Sequence, residues 1–197
     1  MKHRAIFLDR DGTLNEDVGY PGHISQMHIY PYSPEAVRKI NQAGLLAVMV
    51  TNQSGVGRGY FTEAALRKMH RQMNEEFLKH QARLDGIYYC PHYAGSTHPE
   101  YNLDCTCRKP FPGLGLRAAQ ELDIDLARSY MIGDKVEDIL FGRNLGARPV
   151  LVLTGYGRQT QDRLREQGTS PAFTGRTLLE AVDWIVEVDL GLGPASG

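Results

Sequence analysis

The chain has 197 residues, of which 42% are hydrophobic and 23% charged, and its formal net charge is −1. This composition is typical of a single globular domain and excludes a strongly basic nucleic-acid binder. No apolar run reaches the roughly 20 residues of a membrane helix, and Asp9 and Asp11 interrupt the N-terminal apolar run too early for a signal peptide. We therefore expect a cytoplasmic monomer that works without nucleic acid or membrane.

Short apolar runs alternate with amphipathic segments along the chain. The apolar runs predict strands at 4–8, 45–50, 87–90, 130–133 and 149–153. Helix start and stop signals in the segments between them predict helices at 33–44, 62–79, 114–122, 137–145 and 178–186. This alternation predicts an α/β fold, a Rossmann-like three-layer sandwich with a mainly parallel sheet. We expect one domain over residues 1–187 and a flexible tail at 188–197.

Carboxylates follow the first and fourth predicted strands. Asp9 and Asp11 come directly after the first strand, and Asp134 follows the fourth. Parallel strands bring their carboxyl ends to one edge, where carboxylates repel unless a proton or a cation lies between them. Mg²⁺ suits such a site, because it prefers oxygen ligands and usually accompanies phosphate. The alternatives are an Asp-Gly turn and a helix cap, and Asp138 would support the loop one helical turn further on.

Polar and basic residues follow other predicted strands. The hydroxyl and amide groups of residues 51–54 come directly after the second strand, as a phosphate cradle requires. Lys109 precedes the third helix and could neutralise phosphate charge, and the planar guanidinium of Arg108 could grip a second anionic or hydroxylated group. Taken singly, a polar loop and a solvated basic pair explain these residues.

All three cysteines of the chain lie in one stretch, together with a histidine. Three thiolates and one imidazole make a complete tetrahedral zinc set, with no coordination position open for catalysis. The spacing therefore predicts a structural Zn²⁺ that holds the loop over residues 90–108. His98 is a spare candidate, but the paired spacing favours the set Cys90, His92, Cys105 and Cys107. Incidental buried cysteines beside a surface histidine are the alternative.

The order of these motifs resembles that of the haloacid dehalogenase (HAD) superfamily of phosphotransferases. Asp-x-Asp-Gly-Thr, a strand-end Thr, a Lys and Gly-Asp-x-x-x-Asp follow one another between Asp9 and Asp138. The stretches TNQSGVGRG, CPH and CxCRKP are similar to the histidinol-phosphatase-type branch, and most of all to its heptose 1,7-bisphosphate 7-phosphatases. The resemblance extends to about Thr154 and implies a HAD-like fold without a large cap domain.

The resemblance implies a role for each matched residue. Asp9 would be the nucleophile and Asp11 the general acid and base, with Thr51 and Lys109 holding the transferring phosphoryl group. Mg²⁺ would be held by Asp9, the Asp11 main-chain carbonyl and Asp134. The implied substrate contacts are Asp17, Val18, Gly19, Tyr20, Thr51, Asn52, Gln53, Ser54, Arg108, Lys109 and Lys135.

The implied substrate is a small sugar bisphosphate. The reaction would be Mg²⁺-dependent removal of the C7 phosphate of D-glycero-D-manno-heptose 1,7-bisphosphate through an aspartyl-phosphate, in ADP- or GDP-heptose supply for the lipopolysaccharide core. Histidinol-phosphate phosphatase would share every catalytic residue and is the alternative. A zinc-stabilised binding module with a relict catalytic edge is a third possibility, which any phosphatase activity on a small ester would exclude.

Overall fold

The computed structural model describes residues 2–191. The strands are β1 (Ala5–Leu8), β2 (Leu46–Asn52), β3 (Gly86–Cys90), β4 (Tyr130–Gly133), β5 (Arg148–Val152) and β6 (Phe173–Gly175). They form one sheet in the order β3-β2-β1-β4-β5-β6, and every neighbouring pair is parallel. The helices are α1 (Ser33–Gln42), α2 (Glu63–Lys79), α3 (Gly113–Glu121), α4 (Val136–Leu145), α5 (Gly157–Glu166) and α6 (Leu178–Asp183).

The helices cover both faces of the sheet. Helices α1, α2 and α6 pack on one face, and α3, α4 and α5 pack on the other. Strand β1 shows the division, because Ile6 and Leu8 join the first core cluster while Ala5 and Phe7 join the second. A strand buried on both faces must be apolar at successive positions, as the 5–8 run is. The predicted three-layer α/β fold is confirmed.

The strand register brings the polar loops to one edge of the sheet. Leu8 at the end of β1 lies opposite Met49 of β2 and Ile132 of β4. The residues that follow these three strands therefore leave the sheet on the same side. The backbone N–H of Asp9 donates to the Ile132 carbonyl at 3.0 Å, which extends the pairing to the first site residue.

The C-terminal boundary differs from the prediction. A π-helix over Trp184–Asp189 continues α6, so the chain is still part of the fold at residue 188, where we expected the tail to begin. The Asp189 carboxylate contacts Arg148 and the Tyr130 hydroxyl, and these contacts hold the end of the helix against the sheet. Residues 192–197 of the predicted tail lie outside the described residues.

The segment between β1 and α1 is short of regular structure. Its 3-10 helix, Ile24–Gln26, is the one helical element among residues 9–32, and no cap domain is built there. None of the helices within residues 2–191 combines the length and the hydrophobicity that a bilayer crossing requires.

Candidate active site

Four buried charged side chains meet at the carboxyl edge of the sheet. Asp9 follows β1, Asp134 follows β4, and Asp138 lies in the first turn of α4. One carboxylate oxygen from each lies within 4.8 Å of the others. Lys109 Nζ lies 2.8 Å from Asp9 Oδ1 and 2.6 Å from Asp138 Oδ1. The structure therefore brings three predicted site residues together and adds Asp138, for which the sequence indicates only a supporting role.

The charges of this cluster call for a cation. Three carboxylates and one ammonium leave two negative charges in a buried space. Burial and the carboxylates of Asp9 and Asp138 raise the pKa of Asp134 above its ordinary value, and Asp134 Oδ1 is buried and has no hydrogen-bond partner within residues 2–191. A divalent cation that prefers oxygen, such as Mg²⁺, satisfies both conditions. The residues fit the ion, and Asp9 and Asp134 would hold it together with the Asp11 main-chain carbonyl.

Lys109 is fixed at both its ammonium and its backbone. Burial alone would lower the pKa of Lys109, but Asp138 and Asp9 raise it above its usual value, so the side chain stays charged. Nζ also donates to the Val50 carbonyl at 2.9 Å. The Asn52 amide accepts the Lys109 N–H at 3.0 Å and donates to the Lys109 carbonyl at 3.2 Å. Asn52 therefore positions Lys109 as well as lining the site.

The loop after β5 approaches Asp134 so closely that only glycine fits. A Cβ on Gly155 would lie 2.2 Å from Asp134 Oδ2 and 2.7 Å from the Cα of Gly12. Gly155 also has a φ of +52°. The backbone N–H of Tyr156 donates to Asp134 Oδ2 at 2.8 Å, and Thr154 Oγ1 donates to the Gly12 carbonyl at 2.6 Å. This loop therefore orients Asp134, which the sequence did not predict.

Gly155→Ala should weaken Mg²⁺ binding by about tenfold, because the new methyl group displaces Asp134 and outer-shell changes typically cost that much affinity. Calorimetric titration with Mg²⁺ measures the effect. The matched control is Gly168→Ala, which has a φ of +61° but nothing within 4 Å of the new Cβ. The control should lose about 1–2 kcal/mol of stability and keep its Mg²⁺ affinity. Equal affinities in the two variants would contradict the prediction.

Asp11 is surrounded by hydrogen-bond donors. Arg10 Nε and Nη2 donate to its two oxygens at 2.9 and 2.7 Å. Asn15 Nδ2 donates to Oδ1 and Gln53 Nε2 to Oδ2, both at 3.0 Å. Burial by itself would raise the pKa of Asp11, but Arg10 and these hydrogen bonds hold it below its ordinary value. The carboxylate still lines the cavity beside Asp9, where it can exchange a proton with a bound molecule.

The side chain of Gln53, a predicted substrate contact, is hydrogen-bonded to two other site residues. Its buried amide donates to Asp11 and, at 2.9 Å, to Thr51 Oγ1, and it does not line the cavity. Because Thr51 Oγ1 already accepts one hydrogen bond, its own proton is available to an anion in the cavity. Gln53 therefore orients two site residues and stands behind them.

Asp9, Lys109 and Asp138 of the charged cluster line the floor of a cavity of about 630 Å³, while Asp134 lies outside its lining. The other predicted residues that line it are Asp11, Asp17, Gly19, Tyr20, Thr51, Asn52, Ser54, Arg108 and Lys135. Val18, another predicted substrate contact, is 43% exposed and lies outside the lining, while its neighbours on either side face the cavity. Pro110, Phe111, Glu137 and Tyr156 complete the wall, and the sequence analysis predicts none of them as a site residue.

Two further cationic side chains, Lys135 and Arg108, line the wall of the cavity. Lys135 Nζ lies 2.9 Å from Asp17 Oδ2 and 5.1 Å from the ring centroid of Tyr156. The Arg108 side chain is exposed and makes one long contact, at 3.4 Å, with the His92 carbonyl. An anionic ligand with a second charged group would therefore meet positive charge at the floor and again at the wall.

The predicted zinc ligands come together at the end of β3. Cys90 Sγ lies 3.7 Å from Cys105 Sγ and 3.5 Å from His92 Nδ1, which in turn lies 3.1 Å from Cys107 Sγ. With Zn–S about 2.3 Å and Zn–N about 2.0 Å, tetrahedral ligands lie about 3.8 Å (S to S) and about 3.5 Å (S to N) apart. The four residues therefore fit a zinc ion, and His98 is not part of the cluster.

The environment of the thiols also points to a cation. A hydrogen bond with Cys90, burial, and the charge of Cys90 each raise the pKa of Cys107, which lies far above its ordinary value. Adjacent thiolates are stable only where a positive ion offsets their repulsion. All three cysteines are free of disulfides, as metal ligands must be.

Known proteins similar to this chain are phosphatases. The HAD-hydrolase-like family model matches residues 106–181. The chain is 48% identical over 153 residues to D-glycero-beta-D-manno-heptose-1,7-bisphosphate 7-phosphatase of Pasteurella multocida, covering 77% of this chain and 83% of that protein. It is 36% identical over 189 residues to D-glycero-D-manno-heptose-1,7-bisphosphate 7-phosphatase of Thermosynechococcus vestitus, covering 94% and 96%.

A solved structure extends the similarity to the fold. The crystal structure of D,D-heptose 1,7-bisphosphate phosphatase from B. bronchiseptica, complexed with magnesium and phosphate, superposes with a TM-score of 0.81 at 31% sequence identity. The match covers 93% of this chain and 98% of that one.

Proposed function

The chain belongs to the D-glycero-D-manno-heptose-1,7-bisphosphate 7-phosphatase family of HAD-like hydrolases, and from that premise we propose that it removes the C7 phosphate of heptose 1,7-bisphosphate. The observation that carries the proposal is the buried cluster of Asp9, Lys109, Asp134 and Asp138, of which Asp9, Lys109 and Asp138 line a cavity with further cations in its wall. We propose the β anomer, because the Pasteurella multocida relative is named for it.

The first chemical step transfers the phosphoryl group to the protein. A carboxylate oxygen of Asp9 attacks phosphorus while the bond from phosphorus to the C7 oxygen breaks. The arriving phosphate disfavours a second negative charge nearby and so raises the pKa of Asp11, which lets Asp11 carry the proton that it gives to the leaving oxygen. Lys109 Nζ and the Thr51 hydroxyl hold the oxygens of the group in transfer.

The second step returns the protein to its starting state. Asp11, now a carboxylate, takes a proton from a water molecule, and the water oxygen attacks phosphorus. The bond from phosphorus to Asp9 breaks, and inorganic phosphate leaves. When bound, Mg²⁺ supplies the positive charge that offsets repulsion between phosphate and the buried carboxylates.

The proposed setting follows from the same residues. A Cys₃His set with free thiols suits the reducing cytoplasm. We propose that the enzyme acts there as a monomer on a small sugar bisphosphate. Mg²⁺ would serve in catalysis and Zn²⁺ in holding the loop.

Phosphate release with Mg²⁺ on each anomer of heptose 1,7-bisphosphate, beside histidinol phosphate, tests the proposal. A clear preference for the β-heptose supports it. A preference for histidinol phosphate would keep Asp9, Asp11, Lys109 and Asp134 in their roles and overturn the substrate. Activity on none of the three esters, in protein that is folded and holds zinc, would favour a binding module instead.

Arg108→Ala should raise KM for heptose 1,7-bisphosphate about tenfold with little change in kcat, because a charge-assisted hydrogen bond to the distal phosphate is lost. Heptose 7-phosphate lacks that phosphate, and its KM should not change. Steady-state kinetics on the two substrates measure the difference. The matched control is Arg117→Ala, an exposed arginine on α3 that pairs with Glu121 away from the cavity. An equal rise in KM for both substrates would contradict the prediction.

A further inference from the structure

We propose that His70 is a positioning residue for proton transfer and acts on Asp11 through Arg10. His70 lies on α2, Arg10 lies in the loop after β1, and neither lines the cavity. The inference deepens the proposed phosphatase function and rests on it. It identifies a residue outside the cavity lining that helps to hold the Asp11 carboxylate in position.

One buried guanidinium joins the two residues. Arg10 is completely buried, and its Nε and Nη2 form a two-pronged hydrogen bond with Asp11. Its remaining nitrogen, Nη1, lies 3.2 Å from His70 Nε2. An arginine can only donate, so His70 Nε2 accepts and the ring proton is on Nδ1. Because the guanidinium is planar and rigid, fixing Nη1 also fixes the two nitrogens that hold Asp11.

His70 is a permanent acceptor. Burial and the nearby charge of Arg10 lower its pKa to about 3, so the ring is neutral at physiological pH. The ring is 2% exposed, and within the described part of the chain Nδ1 finds no hydrogen-bond partner. Burying an unpartnered N–H is unfavourable for folding, and an apolar side chain would avoid that penalty. What histidine contributes and an apolar residue cannot is the acceptor for Arg10.

Loss of this acceptor would impair one chemical event, which is the transfer of a proton from Asp11 to the leaving oxygen. Without His70 Nε2, a buried N–H of Arg10 has no partner and the guanidinium turns towards another acceptor, which moves Asp11. In the first step, the bond from Asp9 to phosphorus forms, the bond to the leaving oxygen breaks, and the proton on Asp11 moves to that oxygen. An alkoxide leaving group needs this proton, whereas p-nitrophenolate leaves without it.

Leaving-group dependence therefore tests the proposal. The measured quantity is kcat/KM, which covers events up to departure of the leaving group, for heptose 1,7-bisphosphate and for p-nitrophenyl phosphate. His70→Leu should lose about tenfold or more on the sugar ester and less than about threefold on the aryl ester. His70→Gln should stay within about threefold of wild type on both, because its amide oxygen can replace Nε2 as acceptor.

Met73→Ala is the matched control for disturbance of the fold, since Met73 is a fully buried residue of α2 one turn further on. It should lower the melting temperature without changing the ratio of the two kcat/KM values. Equal losses on both esters in His70→Leu, or a Gln variant no better than the Leu variant, would overturn the proposal. If wild type fails on heptose bisphosphate, the proposed function is wrong, and the His70 comparison is made with histidinol phosphate, another alkyl ester.

Discussion

Asp9→Asn is expected to lower kcat at least about a thousandfold, equivalent to about 4 kcal/mol of transition-state stabilisation. A carboxamide is a poor nucleophile, and the covalent route through an aspartyl-phosphate depends on a carboxylate at this position. The fold should survive, because asparagine has nearly the same volume and Lys109 keeps its 2.6 Å ion pair with Asp138. Phosphate release measures the rate, and thermal unfolding checks the fold.

The control for this substitution is Asp162→Asn, which makes the same chemical change at an exposed position on α5. Its kcat should equal that of wild type. Rapid acid quenching should also trap protein-bound phosphate in wild type and none in Asp9→Asn. If Asp9→Asn keeps activity within about tenfold of wild type, Asp9 is not the nucleophile.

Cys107→Ser is expected to reduce bound zinc from one ion per chain to none and to lower kcat/KM at least about a hundredfold, because small displacements of reacting groups have effects of that size. The substitution affects Lys109, which lies two positions further along the chain. Cys107 precedes the Arg108–Lys109 pair, so an unanchored loop displaces the ammonium that lies 2.8 Å from Asp9. Metal analysis by mass spectrometry and steady-state kinetics measure the two effects.

His98→Asn is the matched control, because His98 belongs to the same loop but lies outside the cluster of four. It should keep one zinc ion and full activity. The rest of the domain should remain folded in Cys107→Ser, since the core residues lie between sheet and helices, and a second anchor from Tyr101 to Glu63 remains. Zinc retained in Cys107→Ser, or zinc lost without loss of activity, would contradict the prediction.

The sequence predicts the parts of the site that follow an apolar strand. Asp9, Thr51 and Asp134 each come after a run whose residues are almost all buried, and the parallel register then brings them to one edge. The zinc cluster is predictable for a different reason. Its ligand types are uncommon and its spacing is short, so few other interpretations compete.

The sequence does not predict helices and strands that contain few buried apolar residues. Helix α5 has only three buried residues in ten, one of them a glycine, and most of its side chains face solvent. Strand β6 has three residues and only one of them is buried. Both lie at the edge of the fold, where burial imposes little pattern on the sequence. Packing against β5 and α4 decides their conformation.

Side-chain direction is the other limit. Gln53 lies between Asn52 and Ser54, both of which face the cavity, yet its amide turns towards Asp11. His70 sits on the buried face of an amphipathic helix, where spacing alone indicates a core residue. Only the three-dimensional positions of the Asp11 carboxylate and of the Arg10 guanidinium distinguish Gln53 and His70 from their neighbours. A linear pattern does not contain that information.

The order of strands in the sheet has a consequence for synthesis of the protein. One half of the sheet consists of β3, β2 and β1, and the other half consists of β4, β5 and β6. Because β3 ends at Cys90, the whole first half emerges from the ribosome before residue 91. The four zinc ligands follow directly, within residues 90–107. The ribosome therefore delivers a half-sheet with all four of these Cys and His residues before Asp134, Asp138 and Gly155 emerge. The proposed zinc ion can therefore bind to the nascent chain, whereas the catalytic edge can assemble only after the second half-sheet docks.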